Sequence, residues 1–442
     1  MADMSRRNFL RSAGILGGGA AVATLLASCG DSDTSDAVQS GAVKLDFWTH
    51  DPGYVKTYTT SANNANAAKA FPFTFSLAVT SLAADAVVTK LIAQAQAKKG
   101  TPDIAGLEVS QFPRMMKQNI APSVLVDWSA ELSDEQKGDL LRLADYTVDG
   151  KAYALESDTC PTVLYYRHDL FKKYGIPEDV ETWEELQTAA KAALRAGKAL
   201  GICCNGQPGA ALGTFRQLYQ QRGLNLFDES GKPSIDTPEA VEVIQFMADA
   251  LKSGLFTMVP DPYGAPNGAA LKSEKLIATF MPNWYNVYGL QANVPKQKGL
   301  WRARVLPKFS AGGGIGAALG GTGFAVVKDK PNTKASIDLV KHTYLTKEGQ
   351  LLRFKTAGYL PTMKSLYDAP EFNTYADPYL GGQKVFPIYK QIAAEAPAYH
   401  QSAEAPKLID TLGGAIQKAQ TGAISAAQAV KDAMAAYESQ TK

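Results

Sequence analysis

A chain of 442 residues, 45% hydrophobic and 20% charged, is long enough for two or three domains built on sizeable cores. Its formal net charge is +2, and Arg6, Arg7 and Arg11 against Asp3 account for that excess, so the body beyond the leader is close to neutral. That balance excludes a nucleic-acid binder with a basic stripe and a polybasic membrane-surface protein, and no interior run is long and apolar enough to span a bilayer.

The first segment has the layout of an export signal: a basic start, an apolar run from Ala13 to Ala27, then small residues before Cys29. The run is short, and Gly17, Gly18 and Gly19 in its middle make it a poor membrane helix. Ser5-Arg-Arg-Asn-Phe-Leu10 resembles the twin-arginine export signal, and Leu26-Ala-Ser-Cys29 resembles the bacterial lipobox. These resemblances imply a signal peptide over 1–28 and a lipidated Cys29. Residues 29–41 are small, polar and aperiodic, as in a flexible tether. The competing reading of Cys29 is a buried thiol in a core helix.

Val43-Lys-Leu-Asp-Phe-Trp-Thr49 alternates like a strand and ends at a turn, His50-Asp-Pro-Gly53. Residues 71–80 form a second strand-like run, 81–99 a helix with Leu82, Val87, Val88, Leu91 and Ile92 on one face, and 103–107 a short buried strand followed by Glu108. That order predicts a parallel sheet with right-handed crossovers. Further strands are expected at 153–155, 162–167, 276–281 and 323–327. Thr182-Trp-Glu-Glu185 is a capping box opening a helix to about residue 196, and Thr237-Pro238 opens another. The chain reads as helical from Gln383, closing in a capped helix from about Ser425.

Most chemical motifs fail. The glycine-rich stretch Gly312–Gly323 contains no G-x-G-x-x-G and no Walker pattern, so it reads as a flexible crossing near a ligand or hinge. The histidines His50, His168, His342 and His400 lack zinc spacing, and there is no nucleophile elbow. No metal, cofactor or catalytic group is expected. Besides Cys29, the chain has Cys160, Cys203 and Cys204; export permits a bridge from Cys160 to Cys203 or Cys204, with buried free thiols as the competing reading.

What remains is aromatic and acidic residues at strand ends, where open α/β sheets bind ligands. Trp48, His50 and Asp51 follow the first strand, Glu108 follows the third, Asp158 precedes the strand at 162–167, and Trp284 and Tyr285 follow the strand at 276–281. Flat rings stack on a sugar's C–H face, and carboxylates accept from its hydroxyls. For Trp48 and Trp284 the competing role is core packing; for Glu108 and Asp158 it is a solvated or helix-capping acid.

Leu164-Tyr-Tyr-Arg-His-Asp-Leu-Phe-Lys-Lys-Tyr-Gly-Ile176, Thr182-Trp-Glu-Glu-Leu186, Met281-Pro-Asn-Trp-Tyr285, Gly320-Gly-Thr-Gly-Phe-Ala-Val326 and Gly358-Tyr-Leu-Pro361 carry a family resemblance. From about residue 41 onward the chain resembles an extracellular solute-binding protein, carbohydrate type, of an ATP-driven importer. The resemblance implies a type II periplasmic-binding-protein-like α/β fold: two lobes, a multi-strand hinge and a ligand cleft between them. Lobe one would be 41–158 plus 323–358, and lobe two 159–322 plus 359–442, with crossings near 158–160, 322–323 and 358–359. It implies ligand contacts from Trp48, His50, Asp51, Glu108, Asp158, Trp284, Gly321 and Thr322, and Tyr285, next to Trp284 at the strand end, is expected to join them. Many relatives have glycine where this chain has Cys160, which leaves the local backbone and a bridge from Cys160 open. The implied function is a non-catalytic monomer, held by lipid at the outer face of the cytoplasmic membrane, that delivers a sugar to a permease pair with a cytoplasmic ATPase. Alternatives are a polyol or glycerophosphodiester in the same fold, and an exported glycan-acting enzyme, which turnover would distinguish.

Overall fold

The computed structural model describes residues 41–442. The expected leader, Cys29 as the expected lipidation site and the expected tether up to residue 40 lie outside the described residues. Among the described residues no helix is long and apolar enough to cross a membrane.

The first lobe is built on a five-stranded sheet. Phe73–Ser81, Gly41–Thr49 and Ile104–Glu108 run parallel, and Thr322–Val326 joins antiparallel between Ile104–Glu108 and Leu155–Glu156. The first-strand register is continuous from Gly41 opposite Phe73 to Thr49 opposite Ser81. Side chains alternate across a strand. Val43, Leu45 and Phe47 therefore pack on one face with Tyr54 and Tyr58. Trp48 points to the other, against Val87, Val88 and Leu91 of the Ala84–Gln96 helix. The turn expected after Thr49 is tighter than a loop: Asp51 caps a helix, Pro52–Ala67, by accepting from the Gly53 N–H at 2.7 Å, with Pro52 in the first turn where no intrahelical donor is needed.

The second lobe combines an antiparallel three-stranded sheet (Ala278–Pro282, Thr162–Arg167, Trp301–Arg304) with a parallel pair, Gly201–Cys204 and Phe256–Val259. The Pro208–Gln221, Pro238–Ser253, Ala405–Gln420 and Ala426–Thr441 helices contribute to one core with these strands. The capping box at Thr182 and Glu185 forms, but the helix it opens is interrupted at Ala190. Thr237 and Ser425 cap as expected, each hydroxyl accepting from the N–H three residues on. The carboxyl-terminal part is less uniformly helical than its composition suggests, since a two-residue strand, Gln383–Lys384, precedes its first helix.

The chain passes between the lobes in several segments that bond to one another. Ser157 N–H donates to the Thr322 carbonyl at 3.0 Å, Val109 N–H to Gly321 at 2.9 Å and Thr162 N–H to Ala317 at 2.8 Å. Cys160, where the resemblance implies glycine, adopts φ +53°, the left-handed conformation that glycine favours. No bridge forms from it: Cys160, Cys203 and Cys204 are buried free thiols. Burial pushes all three thiols up, Cys204 to about 12, so they stay protonated and inert.

Candidate functional site

A cleft of about 740 Å³ opens between the lobes, within the range of small-molecule sites. One wall carries His50, Asp51, Tyr54, Glu108 and Ser110. The other carries Gln207, Arg216, Gln217, Tyr263, Trp284 and Tyr288, and Gly320, Gly321, Thr322 and Tyr359 come from the crossing segments. A smaller cavity of about 320 Å³ beside Asn286, Phe354 and Asp377 holds none of the nine residues expected to touch ligand.

Trp284 follows the Ala278–Pro282 strand, as the strand-end argument requires, and its ring is only partly buried. The Tyr263 and Tyr288 rings lie 5.7 and 6.0 Å from it and 5.9 Å from each other. Tyr263 and Tyr288 are 40% and 42% exposed, unusual for large rings and costly unless something covers them. The Trp284 Nε1–H donates to the Leu319 carbonyl at 3.2 Å, which fixes the indole face. Gly320 beside it has φ +86°, and a Cβ there would lie 3.4 Å from Nε1.

Across the cleft, Asp51 accepts from Gly53 N–H and, through its other oxygen, from the Tyr359 hydroxyl at 2.7 Å. Glu108 Oε2 accepts from the Ser110 N–H at 2.8 Å and from the Ser110 hydroxyl. Among the described residues its other oxygen accepts no hydrogen bond from the protein. His50 sits between these acids, yet burial pushes its imidazole below the ordinary value against the pull of Glu108 and Asp51. A neutral ring, one donor and one acceptor, suits hydroxyl groups.

Three of the expected residues, Trp48, Asp158 and Tyr285, do not line the cleft. Trp48 is core, 5% exposed, with Lys90 Nζ 4.3 Å from its ring centroid, and is not part of the cleft lining. The parallel sheet is covered on both faces, so an apolar residue at the strand end is not thereby at the ligand. Asp158 is fully buried and belongs to the hinge: Oδ1 accepts from Cys160 and Leu360 N–H at 3.1 and 3.0 Å, and Oδ2 from Asn283 Nδ2–H at 2.8 Å. Tyr285 is fully buried beneath Trp284, its hydroxyl accepting from Asn267 Nδ2–H at 2.6 Å. His50, Asp51, Glu108, Trp284, Gly321 and Thr322 do line the cleft.

Behind the cleft-lining segment Gly320–Thr322 lies a buried charged network that sequence reasoning missed. Glu156 Oε1 accepts from the N–H groups of Ser157, Asp158 and Thr322 at 2.7, 3.0 and 3.1 Å. Arg142 pairs with Asp145 at 2.5 Å and donates to the carbonyls of Asp158 and Gly320. Burial pushes Glu156 up to about 7, with Arg142 opposing and Asp145 adding. Gly321, at φ +124°, is obligatory here, because a Cβ would come within 2.9 Å of Glu156 Oε2 and 3.0 Å of Arg142 Nη1. Tyr263, in the turn after the Phe256–Val259 strand, could have been found by the strand-end rule; Arg216, mid-helix, gave no signal.

Residues 53–378 match the family model described as "Bacterial extracellular solute-binding protein". An arabinooligosaccharide-binding protein of Bacillus subtilis is 26% identical over 68% of this chain and 69% of its own length. One of the same description from Halalkalibacterium halodurans is 25% identical over 83% of this chain and 82% of its own. Among solved structures, the GacH receptor of Streptomyces glaucescens superposes with a TM-score of 0.73 at 20% identity, covering 91% of this chain and 98% of that one. That last likeness is one of fold.

Proposed function

The chain belongs to the bacterial extracellular solute-binding proteins, and from that premise we propose that its interlobe cleft captures a sugar or oligosaccharide for delivery to the permease of an ATP-driven importer. Such proteins are extracytoplasmic transport components and not catalysts. The observation that carries the saccharide reading is the trio of rings, Trp284, Tyr263 and Tyr288, standing open in the cleft that Asp51 and Glu108 also line. Rings cover the apolar faces of sugar units while carboxylates and a neutral imidazole take their hydroxyls. Two relatives described as arabinooligosaccharide-binding support a ligand of more than one ring, and so does the cleft's volume.

Each lobe contributes one wall, with lobe one at 41–158 plus 323–358 and lobe two at 159–322 plus 359–442. Closure is a population shift, limited by how much better the ligand binds the closed form. The leader suits export with lipid on Cys29, holding a monomer at the outer face of the cytoplasmic membrane beside its permease. A melting-temperature screen against oligosaccharides, polyols and glycerophosphodiesters tests the reading. A ligand at a hundred times its Kd adds about 2.7 kcal/mol. Stabilisation by a saccharide that is recovered unchanged supports the proposal. Stabilisation by a phosphodiester alone replaces the saccharide, and consumption of the ligand replaces binding with catalysis.

A further inference from the structure

Among the residues lining the cleft, Arg216 is the one guanidinium, and no lysine accompanies it. It stands on the Pro208–Gln221 helix and is 7% exposed, with its guanidinium 4.0 Å from the ring centroid of Tyr399. Among the described residues it donates no hydrogen bond and forms no ion pair. Other buried arginines have protein acceptors: Arg167 pairs with Asp169 and Glu274, and Arg353 donates through its two terminal nitrogens to Ser157 and Gln350.

Arginine carries five N–H donors and no acceptor, and a charge taken from water without a partner is costly. The Tyr399 face attracts the cation but accepts no fork of N–H groups. While the cleft holds water, the guanidinium is solvated from that side. A ligand that fills the cleft expels this water and must replace its acceptors. Tyr399 is itself held in place across the cleft, because Gln401 Nε2–H donates to the Val109 carbonyl at 3.0 Å and Glu404 pairs with Lys117 at 3.1 Å.

We infer that Arg216 is a specificity-determining ligand contact, which binds acceptor oxygens at one end of the saccharide while Tyr399 acts as its positioning residue. The inference rests on the saccharide reading above. The acceptors are adjacent oxygens that a guanidinium fork can grip together, from neutral ring hydroxyls or from the carboxylate of an acidic sugar. Lysine, a single point of charge, does not reproduce that grip.

The test is titration calorimetry of the full chain against arabinotriose, maltotriose and trigalacturonate, with Arg216→Gln, Arg216→Lys and Tyr399→Leu, each variant first checked for an unchanged melting curve without ligand. For every trisaccharide that the unaltered protein binds through Arg216, Arg216→Gln weakens binding at least about tenfold, as expected for loss of charge-assisted hydrogen bonds. Arg216→Lys recovers only part of the loss, and Tyr399→Leu, which removes the ring face under the guanidinium, weakens the same sugars by less than Arg216→Gln does. A loss confined to trigalacturonate identifies a carboxylate as the acceptor; a loss on the neutral sugars identifies hydroxyls. Should Arg216→Gln lower the melting temperature, Arg216→Lys carries the test. If the tested variants bind all three sugars within twofold of the unaltered protein, the inference is overturned and the saccharide reading stands. If the unaltered protein binds none of the sugars, the saccharide reading falls and takes this inference with it.

Discussion

Asp158 Oδ2 accepts a hydrogen bond from Asn283 Nδ2–H at 2.8 Å, and Asn283 is the residue immediately before Trp284. A hinge carboxylate is thereby tied to the segment that presents the ligand-facing indole. Asn283 also donates to the Gly358 carbonyl at 2.8 Å, and Asp158 accepts from Leu360 N–H, so one buried acid joins two crossings and the aromatic wall.

Asp158→Ala therefore leaves three donors without their acceptor, and a loss of about 3 kcal/mol of stability is expected, on the scale of a buried charged hydrogen-bond partner. Denaturant unfolding measures it. The variant that still folds should bind ligand more weakly only through the hinge, with a smaller change than Trp284→Ala. A variant as stable as the parent would contradict the hinge role.

Trp284→Ala is expected to weaken saccharide binding by about 1–3 kcal/mol, the scale of ring stacking measured for another ligand class, with little loss of stability because the ring is only partly buried. Tyr288→Ala should act in the same direction. Tyr285→Phe is the contrast: it loses the bond from Asn267 and about 1 kcal/mol of stability but leaves affinity unchanged. Calorimetric titration and thermal melting of the three variants separate the effects.

Glu156 gives the fold a pH dependence. Its folded value of about 7 lies above the ordinary value of 4.5, so the native state holds a proton that the unfolded chain releases between them. Stability from this group is fully present below about pH 4.5 and falls as pH rises to about 7, by up to about 3 kcal/mol. Glu156→Gln keeps an oxygen for the three N–H groups and removes the titration. The unfolding free energy of the parent relative to that variant should decline across this window. A constant difference from pH 4.5 to 7 would show that Glu156 does not titrate there.

Trp48→Ala is expected to cost about 3–5 kcal/mol of stability, as for a large ring removed from a core, without altering affinity in the protein that remains folded. A selective loss of affinity would return Trp48 to the ligand.

The parallel sheet, the capping residues and the position of Trp284 were legible in the sequence because each rests on local chemistry: alternation, a hydroxyl three residues before an N–H, a ring after a strand. Trp48 and Trp284 both follow apolar runs, and what separates them is the Ala84–Gln96 helix covering the first strand, a tertiary fact. Asp158 looked like a ligand acid because its partners, Asn283 and Leu360, lie more than a hundred positions away. Arg216 sits in a helix whose buried residues run continuously from Thr214 to Gln221, so no polarity contrast marked it. Cys160 stands where the resemblance implies glycine, and its left-handed backbone is the conformation that glycine favours.

The most direct test of the account is calorimetric titration of the protein with the saccharide identified by the melting screen, followed by recovery of that sugar. Saturable one-to-one binding with the sugar returned unchanged, weakened in Trp284→Ala and not in Tyr285→Phe, is the expected result. Equal affinity in Trp284→Ala, or sugar that disappears with time, would contradict it.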